Sequence, residues 1–142
     1  MKKIFLILSV FFIVMVNADF SRVNDVVTDD QTNLQWQDAE VIDSNSSFEN
    51  AIVYCENLEL DGYNDWRLPN VNELKTIVDI SEYGSSIYED FIYTDAYFYW
   101  TSTSNAKDLS KCFAISFLEG SISIEEKNND SSYNIRCVRF DD

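Results

Sequence analysis

Cys112-Phe113-Ala114-Ile115-Ser116-Phe117-Leu118-Glu119-Gly120-Ser121-Ile122-Ser123-Ile124 is the stretch that decides the fold class. Phe113, Ile115 and Phe117 alternate with Cys112, Ala114 and Ser116, the two-residue period of a strand. Glu119-Gly120 is a turn signal, and Ile122 and Ile124 resume the alternation before a polar loop from Asn128 to Ser132. A last strand is expected from about Tyr133 to Phe140.

Upstream the period is helical. Ser46-Ser47-Phe48-Glu49 fits a capping box with Ser46 as the cap. Phe48, Ala51, Ile52, Cys55 and Leu58 then recur on one face until Asp61-Gly62. Asn70-Val71-Asn72-Glu73 repeats the start signal directly after Pro69, with Val71, Leu74, Ile77 and Val78 on one face. Both helices are short and depend on packing. Nearer the start, Val26-Val27-Thr28 and Leu34-Gln35-Trp36-Gln37 flank a polar turn in which Asn33 suits a left-handed position, so a hairpin is expected there. A hairpin, two helices and an antiparallel sheet that brings the chain ends together make an α+β domain.

Lys2 and Lys3 precede an apolar run from Ile4 to Val16, broken only by Ser9 and followed by Asn17-Ala18. This is the layout of a signal peptide. Thirteen residues of helix reach about 20 Å, short of the roughly 30 Å hydrocarbon layer, so no stable membrane span is expected. Residues 1–18 are therefore read as a signal peptide and 19–142 as one domain, secreted or periplasmic.

The whole chain carries a net charge of −15, and loss of Lys2 and Lys3 with the signal peptide takes the mature chain to −17. Such a surface repels nucleic acid and anionic lipid, which excludes both as main partners. Acidity of this size serves solubility; a cation site would need oxygen ligands placed around one point. The chain has no histidine, which removes Ser-His-Asp triads, Cys-His dyads and His-bearing zinc sites. Gly62, Gly84 and Gly120 lie far apart, so no glycine-rich loop cradles a phosphate. No catalytic residue and no bound cofactor is expected.

Trp66-Arg67-Leu68-Pro69 has two readings. As a binding motif, Trp66 stacks on a sugar face and Arg67 forks onto an anionic group. As structure, Trp66 anchors the core and Arg67 pairs with a nearby carboxylate. In the aromatic run Tyr97-Phe98-Tyr99-Trp100, alternation sends half inward and leaves half free, which makes Tyr97 and Tyr99, with Arg67, the candidate ligand-binding residues. Asn128-Asn129-Asp130, with Glu125 and Glu126, offers oxygen ligands for calcium or else a solvated turn.

Five runs occur in an order that resembles the Lcl C-terminal domain family: Thr28-Asp29 to Leu34-Gln35-Trp36-Gln37, Ala51 to Tyr54-Cys55-Glu56-Asn57-Leu58, Asp65-Trp66-Arg67-Leu68-Pro69-Asn70 with Glu73-Leu74, Tyr99-Trp100-Thr101-Ser102-Thr103-Ser104, and Arg136-Cys137-Val138-Arg139. The resemblance covers nearly all of residues 20–140. It implies a C-type-lectin-like fold, two short helices packed on twisted antiparallel sheets with adjacent termini, in an exported bacterial surface module. Some members of the family are implicated in binding sulfated polysaccharides. At −17, this chain has only eight mature basic residues from which to build a patch for such a polyanion. The Glu-Pro-Asn loop of calcium-dependent sugar sites is absent, since the only proline, Pro69, opens a helix.

Three cysteines leave three single bridges open, and an exported chain meets an oxidising compartment. The resemblance places cysteines at Cys55 and Cys137 and none at Cys112, so it implies a Cys55–Cys137 disulfide with Cys112 as a small buried hydrophobe. The expected function is a non-catalytic binding or surface module recognising a surface glycan or protein. The alternative is a redox or oxidase-type enzyme that uses paired cysteines, as in the sulfatase-activating relatives of the fold.

Overall fold

The computed structural model describes residues 19–40, 46–81, 84, 86–95, 97–128 and 133–142. In chain order its elements are β1 (Phe20–Val23), β2 (Val26–Asp29), β3 (Leu34–Gln37), α1 (Phe48–Glu56), α2 (Val71–Lys75), β4 (Phe98–Asn105), β5 (Asp108–Ser116), β6 (Ile122–Glu126) and β7 (Val138–Phe140). The strands form two antiparallel sheets, ordered β1-β2-β3-β7 and β4-β5-β6. This is the expected α+β architecture. The expected signal peptide lies outside the described residues.

The hairpin forms as read, with Asn33 left-handed at φ 54°. Asp29 fixes its turn by accepting from Gln31 N (2.9 Å) and Thr32 Oγ1 (2.7 Å). β1 adds a strand that the sequence pattern did not reveal, since the two apolar residues of Phe20-Ser21-Arg22-Val23 stand three apart and so do not show a strand's two-residue period. Pairing sets Phe20, Asp29, Leu34 and Phe140 in one row, so β1 and β7, the first and last described strands, share a sheet, at its opposite edges.

Helix α1 starts one residue later than expected. Ser47, not Ser46, is the cap, accepting from Asn50 N at 3.3 Å. Ser46 is otherwise occupied: it pairs with Tyr133 through both backbone groups and its carbonyl accepts from Trp100 Nε1 at 2.6 Å. For α2 the expected Asn70–Glu73 capping box is present. The helix itself is only five residues long, yet Leu74 and Ile77 both reach the core, with Val71 and Val78 packed beside them.

Alternation along β4 and β5 explains why the core has two halves. Tyr99, Ile115 and Phe117 face a cluster with Val27, Leu34, Trp36, Leu74 and Val138. Trp100 and Cys112 face the opposite way, into a cluster with Ala51, Cys55, Trp66, Leu68 and Cys137. Sheet β4-β5-β6 is thus covered on both faces along β4 and β5.

The expected last strand is shorter than read, and the reason matters for function. Tyr133 bridges Ser46, Asn134 makes a parallel bridge with Tyr99, and only Val138–Phe140 pairs with β3. Residues 133–137 cross from the edge of β4 to the edge of β3, linking the two sheets instead of extending one.

Candidate functional site

A cleft of about 350 Å³ opens where that crossing segment passes between the sheets. Its walls are the end of β3 and its continuation to Glu40, the loop from Ile92 to Asp95, and Asn134-Ile135-Arg136, with Tyr99 contributing from β4. The volume falls at the small end of ligand pockets, which run roughly from 300 to 1,000 Å³.

The floor is held by a buried ion network. Arg136 Nη1 donates to Gln37 O (2.8 Å) and Asp38 Oδ1 (3.0 Å), while Nη2 donates to Tyr93 O (2.6 Å) and Thr94 Oγ1 (2.8 Å). Asp38 also accepts from Ile92 N (2.9 Å), Tyr93 N (3.1 Å) and the Arg22 guanidinium. One buried carboxylate therefore ties two arginines and the 92–95 loop to the end of β3. Burial lowers the Arg136 pKa, and the neighbouring Tyr99 hydroxyl offsets part of that. With four acceptors around it, the guanidinium stays charged.

Not every polar group here is satisfied. Arg136 Nε is buried without a hydrogen-bond partner. Asn134 is 6 % exposed, and its backbone is fixed by donation to Phe98 O (2.9 Å) and acceptance from Trp100 N (3.1 Å). Its side-chain amide has no hydrogen-bond partner among the described residues, and the residue lines the cleft. Gln37, by contrast, spends its amide on Tyr54 (2.9 Å) and the Cys137 N–H (3.1 Å).

The structure does not gather the three candidate ligand residues. Tyr97 is 71 % exposed but outside the cleft wall. Tyr99 is a correction to the expectation of a free ring: its ring packs edge-on against Phe117 in the core, and its hydroxyl accepts from Asp95 N at 3.1 Å. Tyr99 also forms part of the cleft wall. Arg67 forks onto Glu73 at 2.7 and 2.8 Å, and Trp66 is buried in the core, which is the structural reading of that motif. Burial alone would raise the Glu73 carboxyl, but Arg67 and the Asn70 amide outweigh it and hold it below its ordinary value.

The Cys55–Cys137 disulfide forms, with Cα atoms 5.5 Å apart, and Cys112 is free and buried. Burial pushes the Cys112 thiol up to about 11, with Lys127 pulling it down and Glu125 adding to the rise. A thiol so placed is a poor nucleophile. Among the described residues, no three Cys, Asp or Glu side chains gather into a metal-binding group. Asn129 and Asp130 of the suggested calcium loop lie outside the described residues; Glu125 accepts from Tyr133 at 2.7 Å and Glu126 pairs with Lys111 at 3.0 Å. No described helix is long and apolar enough to cross a membrane.

Residues 25–139 match the family model of the Lcl C-terminal domain. The chain belongs to that family. No curated protein matches it. The expected Lcl C-terminal domain assignment thus holds over more than half the chain, and it includes both sheets from β2 to the middle of β7. Sequence reasoning about this Lcl C-terminal domain passed over Asn134 and Asp38, because one sits in what looked like a strand and the other just past one. The signal that points to them is a short polar pattern: Asp38 directly after a buried strand, and Asn134 and Arg136 alternating with Ile135 and Cys137.

Proposed function

We propose that this Lcl C-terminal domain is an exported, non-catalytic binding module that recognises a surface glycan or protein, with the cleft beside Asn134 as its site. The observation that carries this reading is a small cavity on a rigid, ion-paired floor, with Asn134 on its wall and the Asn134 side-chain amide unpartnered among the described residues. A polar side chain left unpartnered on a cavity wall is free to bond something that enters. The Cys55–Cys137 disulfide is compatible with an extracytoplasmic home. The high Cys112 pKa gives the redox alternative no support. In this reading the domain needs no cofactor and does not engage nucleic acid.

A glycan array probed with wild type and Asn134→Ala, with and without calcium and at low and moderate salt, tests the proposal. Binding by wild type that is lost in the variant and indifferent to calcium is expected. Binding that the variant retains in full would place the site elsewhere.

A further inference from the structure

We infer that the cleft takes a neutral sugar, held by a vicinal pair of hydroxyls on Asn134. This rests on the cleft being the binding site and adds the class of ligand. A side-chain amide presents an acceptor, Oδ1, and a donor, Nδ2, side by side. Adjacent hydroxyls on a sugar ring match that pair, one donating to Oδ1 and the next accepting from Nδ2. The amide is positioned for this by its backbone bonds to Phe98 and Trp100, and nothing described in the protein competes for it. Thr94 Oγ1 accepts from Arg136 at 2.8 Å, which leaves its own hydrogen for a ligand oxygen.

The rim selects against anions. Glu40 and Asp95 stand there, both exposed, and the one charged floor residue that would attract an anion, Arg136, is already matched by Asp38. Sugar hydroxyls donate to such carboxylates, whereas sulfates and uronic acids are repelled by them. Tyr93 adds an aromatic surface, 43 % exposed, with the Arg22 guanidinium 5.8 Å from its ring centroid. Aromatic faces suit the apolar faces of sugar rings. The cavity of about 350 Å³ has room for a sugar ring or two, not for an extended chain.

The test is an NMR titration of the ¹⁵N-labelled mature domain with methyl α-glucoside, methyl α-mannoside, methyl β-galactoside and a heparin-derived disaccharide. At least one neutral glycoside should shift the Asn134 side-chain NH₂ signals saturably, with a Kd on the order of millimolar, about 4 kcal/mol of binding. Asn134→Ala should weaken that binding about tenfold while leaving the melting temperature unchanged, since the amide has no partner among the described residues. Glu40→Gln combined with Asp95→Asn should strengthen binding of the disaccharide and not of the glycoside. If the disaccharide moves the Thr94 and Asn134 signals as strongly as any glycoside, the neutral-sugar assignment falls and the cleft remains the site. If no probe moves any cleft signal up to about 100 mM, a level well above a millimolar Kd, the sugar assignment falls. If an array ligand then shifts signals elsewhere, the site falls with it.

Discussion

Replacing Cys55 and Cys137 together by alanine should cost this domain a large part of its stability. The two residues are 82 apart in sequence, so the bridge closes a loop that runs from the end of α1 through α2 and all of β4, β5 and β6. In the chain-entropy treatment a loop of that length restricts the unfolded chain by about 4.5 kcal/mol at 25 °C. Domains of this size hold only about 5–15 kcal/mol in all. At an unfolding entropy of about 2.1 cal/mol/K per residue, the loss lowers the melting temperature by roughly 15–20 °C. Both sulfurs are also fully buried in the core half that holds Trp66 and Trp100, so their removal adds a packing loss in the same direction. Thermal unfolding followed by circular dichroism measures the shift. The double variant is the right comparison, because a single one leaves a thiol free to pair with Cys112. A fall smaller than about 5 °C would refute the reasoning, since it would mean that the unfolded chain is not loosened by opening the loop.

Asp38→Ala should destabilise by about 3–5 kcal/mol, because it strands Arg136 as a buried, uncompensated charge; an unfolding free energy from urea titration within about 1 kcal/mol of wild type would contradict the network. The Glu73 carboxyl is depressed in the folded state, so its contribution is fully present above its unfolded value of 4.5 and is lost as pH falls through the lower folded value. Glu73→Gln should therefore narrow the gap in stability between pH 7 and pH 3, and an unchanged gap in a pH series of melts would count against the Arg67 pairing. Cys112, with its thiol pushed up to about 11, is about one part in a thousand ionised at pH 8. It should react with an aromatic disulfide reagent only after unfolding; prompt reaction of the native protein would revive the redox reading.

Much of this architecture was legible because local signals and tertiary demands agree. The Asn70–Glu73 capping box, the left-handed Asn33 and the alternation around Phe113 each satisfy a backbone requirement that depends on near neighbours alone. Where the reading slipped, a distant partner had decided the matter. Ser46 gives up its capping role to Tyr133 and Trp100, and residues 133–137 abandon strand pairing to step from one sheet to the other. The candidate site was hidden for the same reason. Tyr99 and Arg67 have the residue types of binding groups, but the fold uses one as core and the other as a helix clamp. Asn134 and Asp38 become visible only when residues nearly a hundred apart in sequence meet, as they do where Arg136 reaches Asp38.

Chemical-shift mapping of the domain with a ligand chosen from the glycan array tests the central claim most directly. The cleft reading predicts that the largest shifts cluster at 37–40, 92–95 and 134–136, led by the Asn134 side-chain amide. Shifts centred instead on the exposed face of β6, at Ile122 and Ile124, with the cleft signals unmoved, would contradict it.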